Sequence, residues 1–553
     1  MKSVLFLNCL GLLLSAASFS QPLVVDKSVA KALKKINPDD IKAHVQYLAD
    51  DRLRGRMPGT EGYQLAVDYV VGKYTSLGVE PAGENGTYLQ RVRLRRALPG
   101  RDASLISRNT RGGTDTLAYG TDFVVYPHPT APQSAVEAPL VFAGFGISEP
   151  GLGFDDYAGL DAKGKIVVVV RGAPEKFPST VAAHSQNTLT VLENAARHGA
   201  VGVVMGAAPS AARPGPAAEL PNLDRGVYSV MGADGNVAVS RNYVSDQINL
   251  LAAIHADVLV RLFKDAGREL GPAVASAKGG TPASLDLGVT VRAAYQSSFQ
   301  DFDSYNVVGR ITGSDARLKE EYLVHSAHLD HVGVGKPVAG DSIYNGAHDN
   351  ASGVASLLEI ARVYSRLEEK PRRSVLLVMV TGEEMGLLGS GYFAKYPTVP
   401  ARSIVADINT DMPTLIAPLL SAVALGAEHS TLKIPAANAC QYLGIDLEAD
   451  PEPGENRFVR SDQYSFVAQG IPALHVKYGN KTPSGENNLS RQVQSWRAKY
   501  YHQPQDGMDG VFDFEAGKTY VQLNFLIGYQ VAQDPSRPVW NPGDFFGERF
   551  KSR

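Results

Sequence analysis

The segment that most restricts the fold is SVLLVMVTG (374–382), nearly all apolar and rich in β-branched residues. A run like this has no wet face. As a strand it must be covered on both sides, which is the situation of a parallel strand in an α/β sheet. Three further segments share the texture: EYLVHSAH (321–328), SIVADINTD (403–411) and IPALHVKYG (471–479). Between the first two strands, ASGVASLLEIARVYSRLEE (351–369) places Val354, Leu357, Leu358, Ala361 and Tyr364 at helical spacing. The expected fold class is therefore α/β, a mixed and mostly parallel sheet sandwiched by helices.

The first part of the chain fits the same frame. Asp39 to Leu77 reads as helical, capped by Asp39 or Asp40 and broken at MPGTEG (57–62). TYLQRVRLRR (87–96) alternates as a strand with one wet face. From about Ala135 the texture changes. APLVFAGFGI (138–147), GKIVVVVRG (164–172) and VGVVMG (201–206) are short apolar strands among Ala-, Pro- and Gly-rich stretches. The expected organisation is a leader at 1–20, the N-terminal part of the principal domain at 21–134, a β-rich inserted module at 135–290, the rest of the principal domain at 291–535, and a C-terminal tail at 536–553.

Composition narrows the function. The 553 residues carry a formal net charge of −3 and no long basic run, so nucleic acid is not expected as a partner. Lys2, the apolar stretch from Val4 to Ala17, and Ser18 and Ser20 ahead of Gln21 read as a secretory leader too short to span a bilayer. The expectation is an exported protein, periplasmic or secreted, with no membrane span after processing. Of the two cysteines, Cys9 and Cys440, only Cys440 lies beyond the leader. That excludes an intramolecular disulfide and any thiolate metal site in the processed chain. A bound metal must rely on His, Asp and Glu.

Those residues stand at the strand ends, where open α/β sheets bind ligands. His328 ends one strand within HSAHLDH (325–331). Asp349 precedes a helix within HDNASG (348–353). Glu383 and Glu384 follow the most apolar strand. Asp411 follows another within NTDM (409–412), and His502 lies in YYHQPQD (500–506). One bridging carboxylate, plus a His and a carboxylate for each ion, would hold two divalent ions, zinc foremost and others possible, and would leave one glutamate free as a general base. Asp330, two residues after His328, is placed to accept the other imidazole N–H. His325, His331, His348 and His475 read as packing or supporting residues.

The order HLDH, DNASG, TGEEMGLLGS, NTDM, SDQYSF…GIPA (461–473) and YHQPQD resembles the M28 family of zinc peptidases, over roughly 39–130 and 295–530. FAGFGI, DYAGLDAKGKIVVVVRG (156–172) and GAVGVVMG resemble a protease-associated domain inserted into a zinc exopeptidase fold. The resemblance implies that Asp349 bridges two zinc ions, His328 and Asp411 complete one, and Glu384 and His502 the other. It makes Glu383 the base, Asp330 the residue orienting His328, and Tyr478 or Tyr501 a hydroxyl near the oxyanion. His348 and Gln463 depart from the family pattern and are expected near the substrate side.

The implied activity is removal of a terminal residue from a peptide. An aminopeptidase is preferred over a carboxypeptidase, because the strand 471–479 carries no arginine-rich patch to hold a carboxylate. Lys477 keeps glutamate-carboxypeptidase-like or dipeptidase activity open. The rivals are a single-zinc acyltransferase like the glutaminyl cyclases and a non-catalytic binding module. The inserted module is expected to cover the site and restrict it to short peptides. The sequence gives no expectation for the oligomeric state.

Overall fold

The computed structural model describes residues 23–207 and 220–551. The leader expected at 1–20, with Cys9, lies outside the described residues. No helix among those described is long and apolar enough to cross a membrane.

The principal sheet is mixed, with a parallel centre. Strands 473–478, 404–409, 322–328 and 374–380 lie side by side in that order, all parallel. Beyond 473–478 comes the antiparallel strand 421–425. Beyond 374–380 comes the end of a 27-residue strand, Leu285–Ile311, antiparallel, and then 89–99, 227–231 and 237–240. The seven residues Ser374–Val380 are all buried, as a strand with two covered faces requires. Their side chains alternate between two cores. Val375, Leu377 and Met379 face helices 38–48, 61–77, 352–365 and 514–533. Leu376, Val378 and Val380 face a layer holding Phe393, Phe466, Phe546 and Phe550. The first helix starts at Pro38 and its cap is Asn37, whose Oδ1 accepts the Asp39 N–H at 3.2 Å, rather than Asp39 or Asp40. Proline at the first helical position fixes that start.

The inserted module has its own sheet and core. Strands 133–142, 166–170, 202–206 and 251–254 run parallel. Helices 188–197, 256–265 and 270–278 accompany them, so the module is α/β rather than simply β-rich. Its sheet also takes in 104–109, 114–116 and 123–125, ahead of the boundary expected at 135, because 104–109 pairs with 289–294 and 123–125 with 252–254. One backbone serves both sheets: strand 285–311 pairs with 133–142 through its first half and with 374–380 through its end.

The segment expected as a tail is packed. Trp540 Nε1 donates to the Gly470 carbonyl at 2.9 Å, Phe546 and Phe550 enter the core, and Arg549 pairs with Glu149 of the module at 3.3 Å.

Candidate metal centre

Five loops at the C-terminal ends of the parallel strands meet in one place, and each is set by a local device. His328 is the last residue of its strand, and the Asp330 main-chain carbonyl lies 3.2 Å from His328 Nδ1, which leaves Nε2 pointing into the site. The carboxylate of Asp330 does something other than expected. Its two oxygens accept the N–H groups of Glu383 and Glu384, at 3.1 and 3.3 Å. Asp330 therefore orients His328 through its backbone and holds the glutamate loop with its side chain.

Asp349 is not the cap of the following helix. Asn350 Oδ1 accepts the N–H of Gly353 at 3.1 Å and of Met412 at 3.0 Å, which leaves the Asp349 carboxylate for the site. The N–H groups of His348 and Asp349 are in turn taken by Asp506, at 3.0 and 3.1 Å. Sequence alone does not single out Asp506, the last residue of YYHQPQD. Its place directly after the His502 turn was the available signal.

The side chains then divide into two groups about Asp349. Its Oδ1 lies 3.3 Å from His328 Nε2, which is also 3.5 Å from Asp411 Oδ1. Its Oδ2 lies 3.2 Å from His502 Nε2, which is also 3.1 Å from Glu384 Oε2. Tetrahedral zinc with bonds of about 2.0–2.1 Å has ligand atoms about 3.3 Å apart, so both groups have the spacing of a coordination shell. The donor set, imidazole nitrogen and carboxylate oxygen, suits zinc. His331, read as a supporting residue, sits 2.7 Å through Nδ1 from Glu384 Oε1 and can steady that carboxylate or join the second group.

Electrostatics follow from crowding. Burial raises the carboxyl pKa of Asp349, but hydrogen bonds from His328 and His502 outweigh it and hold the group well below the ordinary range. Burial lowers His502, yet Asp349 and Glu384 raise it to about 10. Glu383 goes the other way. It is raised well above an ordinary glutamate by desolvation and by the charges of Glu384, Asp462 and Asp411, against the opposing pull of His328. Asp349, Glu384 and Asp411 are all lowered, so Glu383 differs from the carboxylates of the two groups in being destabilised as an anion, as burial also makes Asp330 and Asp462.

Arg56 stands behind the site. It is fully buried, and its guanidinium donates to the carbonyls of Leu329 (3.0 Å), Leu48, Asn345 (2.6 Å) and Gly346 (3.1 Å). Arg54, Gly55 and Arg56 all have positive φ, 47, 68 and 49°, a tight turn that aims this side chain inward. Sequence reading passed over it, since one arginine in DRLRGR has no distinguishing spacing.

A narrow cavity of about 60 Å³ opens on the site. His328, Asp349, Glu383 and Asp411 form one wall, and Tyr478 and Tyr501 also line it. Arg457, Arg460, Arg497 and Lys477 line it as well, with Glu455 the one carboxylate among them. The patch missing from strand 471–479 is thus supplied by segments distant in sequence. Lys477 Nζ donates to the carbonyls of Asp411 (3.0 Å) and Met412 (2.6 Å), and burial brings its pKa down to about 7. A larger groove of about 550 Å³ lies between the module and the principal domain, on the far side of the Gly386–Leu387 turn, with Arg241 and Tyr464 in its walls.

His348 packs, as one of its two readings expects: it stacks on Phe512 and meets Trp496 edge-on. Gln463 bonds to Asn409 and the Phe458 carbonyl. Both are buried and neither lines the cavity, so neither stands on the substrate side. His325 is a packing residue, with Nε2 3.3 Å from the Tyr364 hydroxyl. His475 supports Asp411, with Nε2 2.9 Å from its carbonyl.

Residues 306–519 match peptidase family M28. Leupeptin-inactivating enzyme 1 of Streptomyces exfoliatus is 26% identical over 279 residues, 48% of this chain and 58% of that one. The probable leucine aminopeptidase 2 of Aspergillus oryzae is 26% identical over 308 residues, 52% and 56% of the two chains. The aligned stretches span about half the length of these curated relatives. Among solved structures, an aminopeptidase from Aneurinibacillus sp. strain AM-1 is similar at a TM-score of 0.49 and 19% identity, over 94% of this chain and 99% of that one. The peptidase family M28 match therefore falls on residues 306–519, the region whose motifs gather at one sheet edge.

Proposed function

We propose that the protein is a di-zinc exopeptidase, an aminopeptidase in preference to a carboxypeptidase, acting on short peptides. The observation that carries this reading is the division of the Asp349 carboxylate, one oxygen toward His328 and Asp411 and the other toward His502 and Glu384. A single-zinc site has no use for that division. His328, Asp349 and Asp411 would hold one ion, and Asp349, Glu384 and His502 the other. When bound, such ions supply Lewis acidity toward the scissile carbonyl and lower the pKa of water. Glu383 is placed to take the proton of the attacking water and return it to the leaving amine. Asp330 fixes the loop that presents it. Tyr478 and Tyr501 offer hydroxyls at the cavity wall.

The aminopeptidase preference draws on the activities named for the relatives, carried here by analogy. The module fits a protease-associated reading, with its own core beside the catalytic sheet, and Arg241 from the segment following its central strands packs on Gly386 beside the glutamate loop. Export rests on the leader-like first 20 residues. Metal analysis of the zinc-loaded protein should return two ions per chain, and the protein should hydrolyse aminoacyl amides with a free amine. One ion per chain, or hydrolysis only of amine-blocked peptides, would overturn this reading.

A further inference from the structure

The cations around the cavity are not equally engaged. Arg457 is committed to Asp450 and Glu452 and also donates to the Tyr478 hydroxyl. Lys477 is spent on two carbonyls. Arg497 differs. Its guanidinium lies 3.8 Å over the ring of Tyr501, and its one hydrogen bond, at 3.5 Å, goes to the Met412 sulfur, a weak acceptor. It makes no ion pair with any described residue, although it is half-buried. Most of its five donors are unspent in the cavity that Asp349, Glu383 and Asp411 also line. Arg460 faces the same cavity, donating to the Glu455 carbonyl at 3.2 Å and making a loose, half-exposed contact with its carboxylate at 3.7 Å.

A half-buried guanidinium without a carboxylate, held over a tyrosine ring, is a fork prepared for a planar anion. We propose that Arg497, assisted by Arg460, binds a carboxylate of the substrate, so that the preferred substrates are short peptides whose anionic group reaches this wall while the scissile bond lies at the metal centre. The cavity is too narrow for a long chain beside that group. The carboxylate is either the free C-terminus of a di- or tripeptide or an acidic side chain. The proposal rests on the exopeptidase reading and adds to it a recognition element carried by segments 457–460 and 489–500.

The test compares kcat/KM of the zinc-loaded enzyme on matched peptides: Ala-Ala against its C-terminal amide, and Glu-Ala amide and Ala-Glu amide against their glutamine counterparts. The expected result is a preference for the carboxylate member of at least one pair, on the order of ten- to hundred-fold. The first pair reports a C-terminal carboxylate and the others a side chain. R497Q should bring that ratio toward one, with the loss in KM, and R460Q should reduce it less. R491Q, on the exposed side of the same helix, should leave it in place, which separates local recognition from net charge. Equal rates within every pair, or a preference that persists in R497Q, would overturn the proposal. If R497Q does not fold, an unchanged ratio in both R497K and R460Q overturns it equally. A protein that hydrolyses none of these peptides fails the exopeptidase reading instead. Calorimetric binding of Ala-Ala and its amide then judges the carboxylate site, and equal affinities sink it.

Discussion

The guanidinium of Arg56 donates to the Leu329 main-chain carbonyl at 3.0 Å, tying a turn near the start of the chain to the residue after His328. The same group holds the carbonyls of Asn345 and Gly346, four and three residues before Asp349. One buried cation thus fixes two of the loops that carry metal ligands, and its charge opposes Asp349, Asp330 and Glu384. Arg56→Met leaves these carbonyls unpaired and should destabilise the fold by about 3–5 kcal/mol. Arg56→Lys should recover only part, since an ammonium cannot copy a planar fork. Urea unfolding measures the first effect. Chelator competition should show weaker zinc retention in the lysine variant.

Glu383 takes part in none of the close contacts that define the two ligand groups. Glu383→Gln should lower kcat by about 10²–10⁴-fold while zinc content stays at the wild-type value. Turnover within a few-fold of wild type would remove Glu383 from the role of base.

Without a metal, the site gathers Asp349, Glu384 and Asp411 around His328 and His502, with His331 against Glu384. Chelation should lower the melting temperature, and added zinc should restore it in a concentration-dependent way, because a ligand bound only by the folded state stabilises it by mass action.

Asp156 in the module is buried. Desolvation lifts its carboxyl from 3.8 to about 7, although the N–H groups of Ile147 and Phe145 hydrogen-bond to it. The folded state therefore holds this proton where the unfolded chain has released it. The contribution to stability is greatest below about pH 4 and declines as pH rises toward about 7, by on the order of a few kcal/mol. Asp156→Asn removes that decline. Urea midpoints for the two proteins should be closest at pH 4 and should diverge, with the variant higher, toward pH 7.

Gly389 begins a close approach behind the glutamate loop. A Cβ there would sit 2.1 Å from the Thr381 carbonyl and 2.6 Å from Asn306 Oδ1. Gly389→Ala should cost about 1–3 kcal/mol or more, read as a lower denaturation midpoint.

The meeting of His328, Asp349, Glu384 and Asp411 was legible because each follows or precedes an apolar strand or a helix, and parallel strands align their C-terminal ends, whereas His502 was marked only by its motif, YYHQPQD. What was not legible came from elsewhere in the chain. Arg56, Arg457, Arg497 and Asp506 reach the site from turns and helices with no periodic signature, so the cationic wall was invisible to a search along one strand. Gln463 is not on the substrate side although its neighbours in sequence are site residues, because its side chain turns inward to bond Asn409 and the Phe458 carbonyl, and His348 keeps its packing role against Phe512. The module's start was misjudged because strand 104–109 differs little in texture from 89–99. Only pairing with 289–294 assigns it.

That pairing has a mechanical consequence. Leu285–Ile311 is a single strand, bulged only near its start between Asp286 and Val289, hydrogen-bonded into the module at one end and against 374–380 at the other. A hinge needs a point where few bonds resist rotation, and along this strand there is none. The module is a cantilever built into the catalytic sheet rather than a door hung on it. A blunt excision at 135–290 would saw through the beam that carries the load of both.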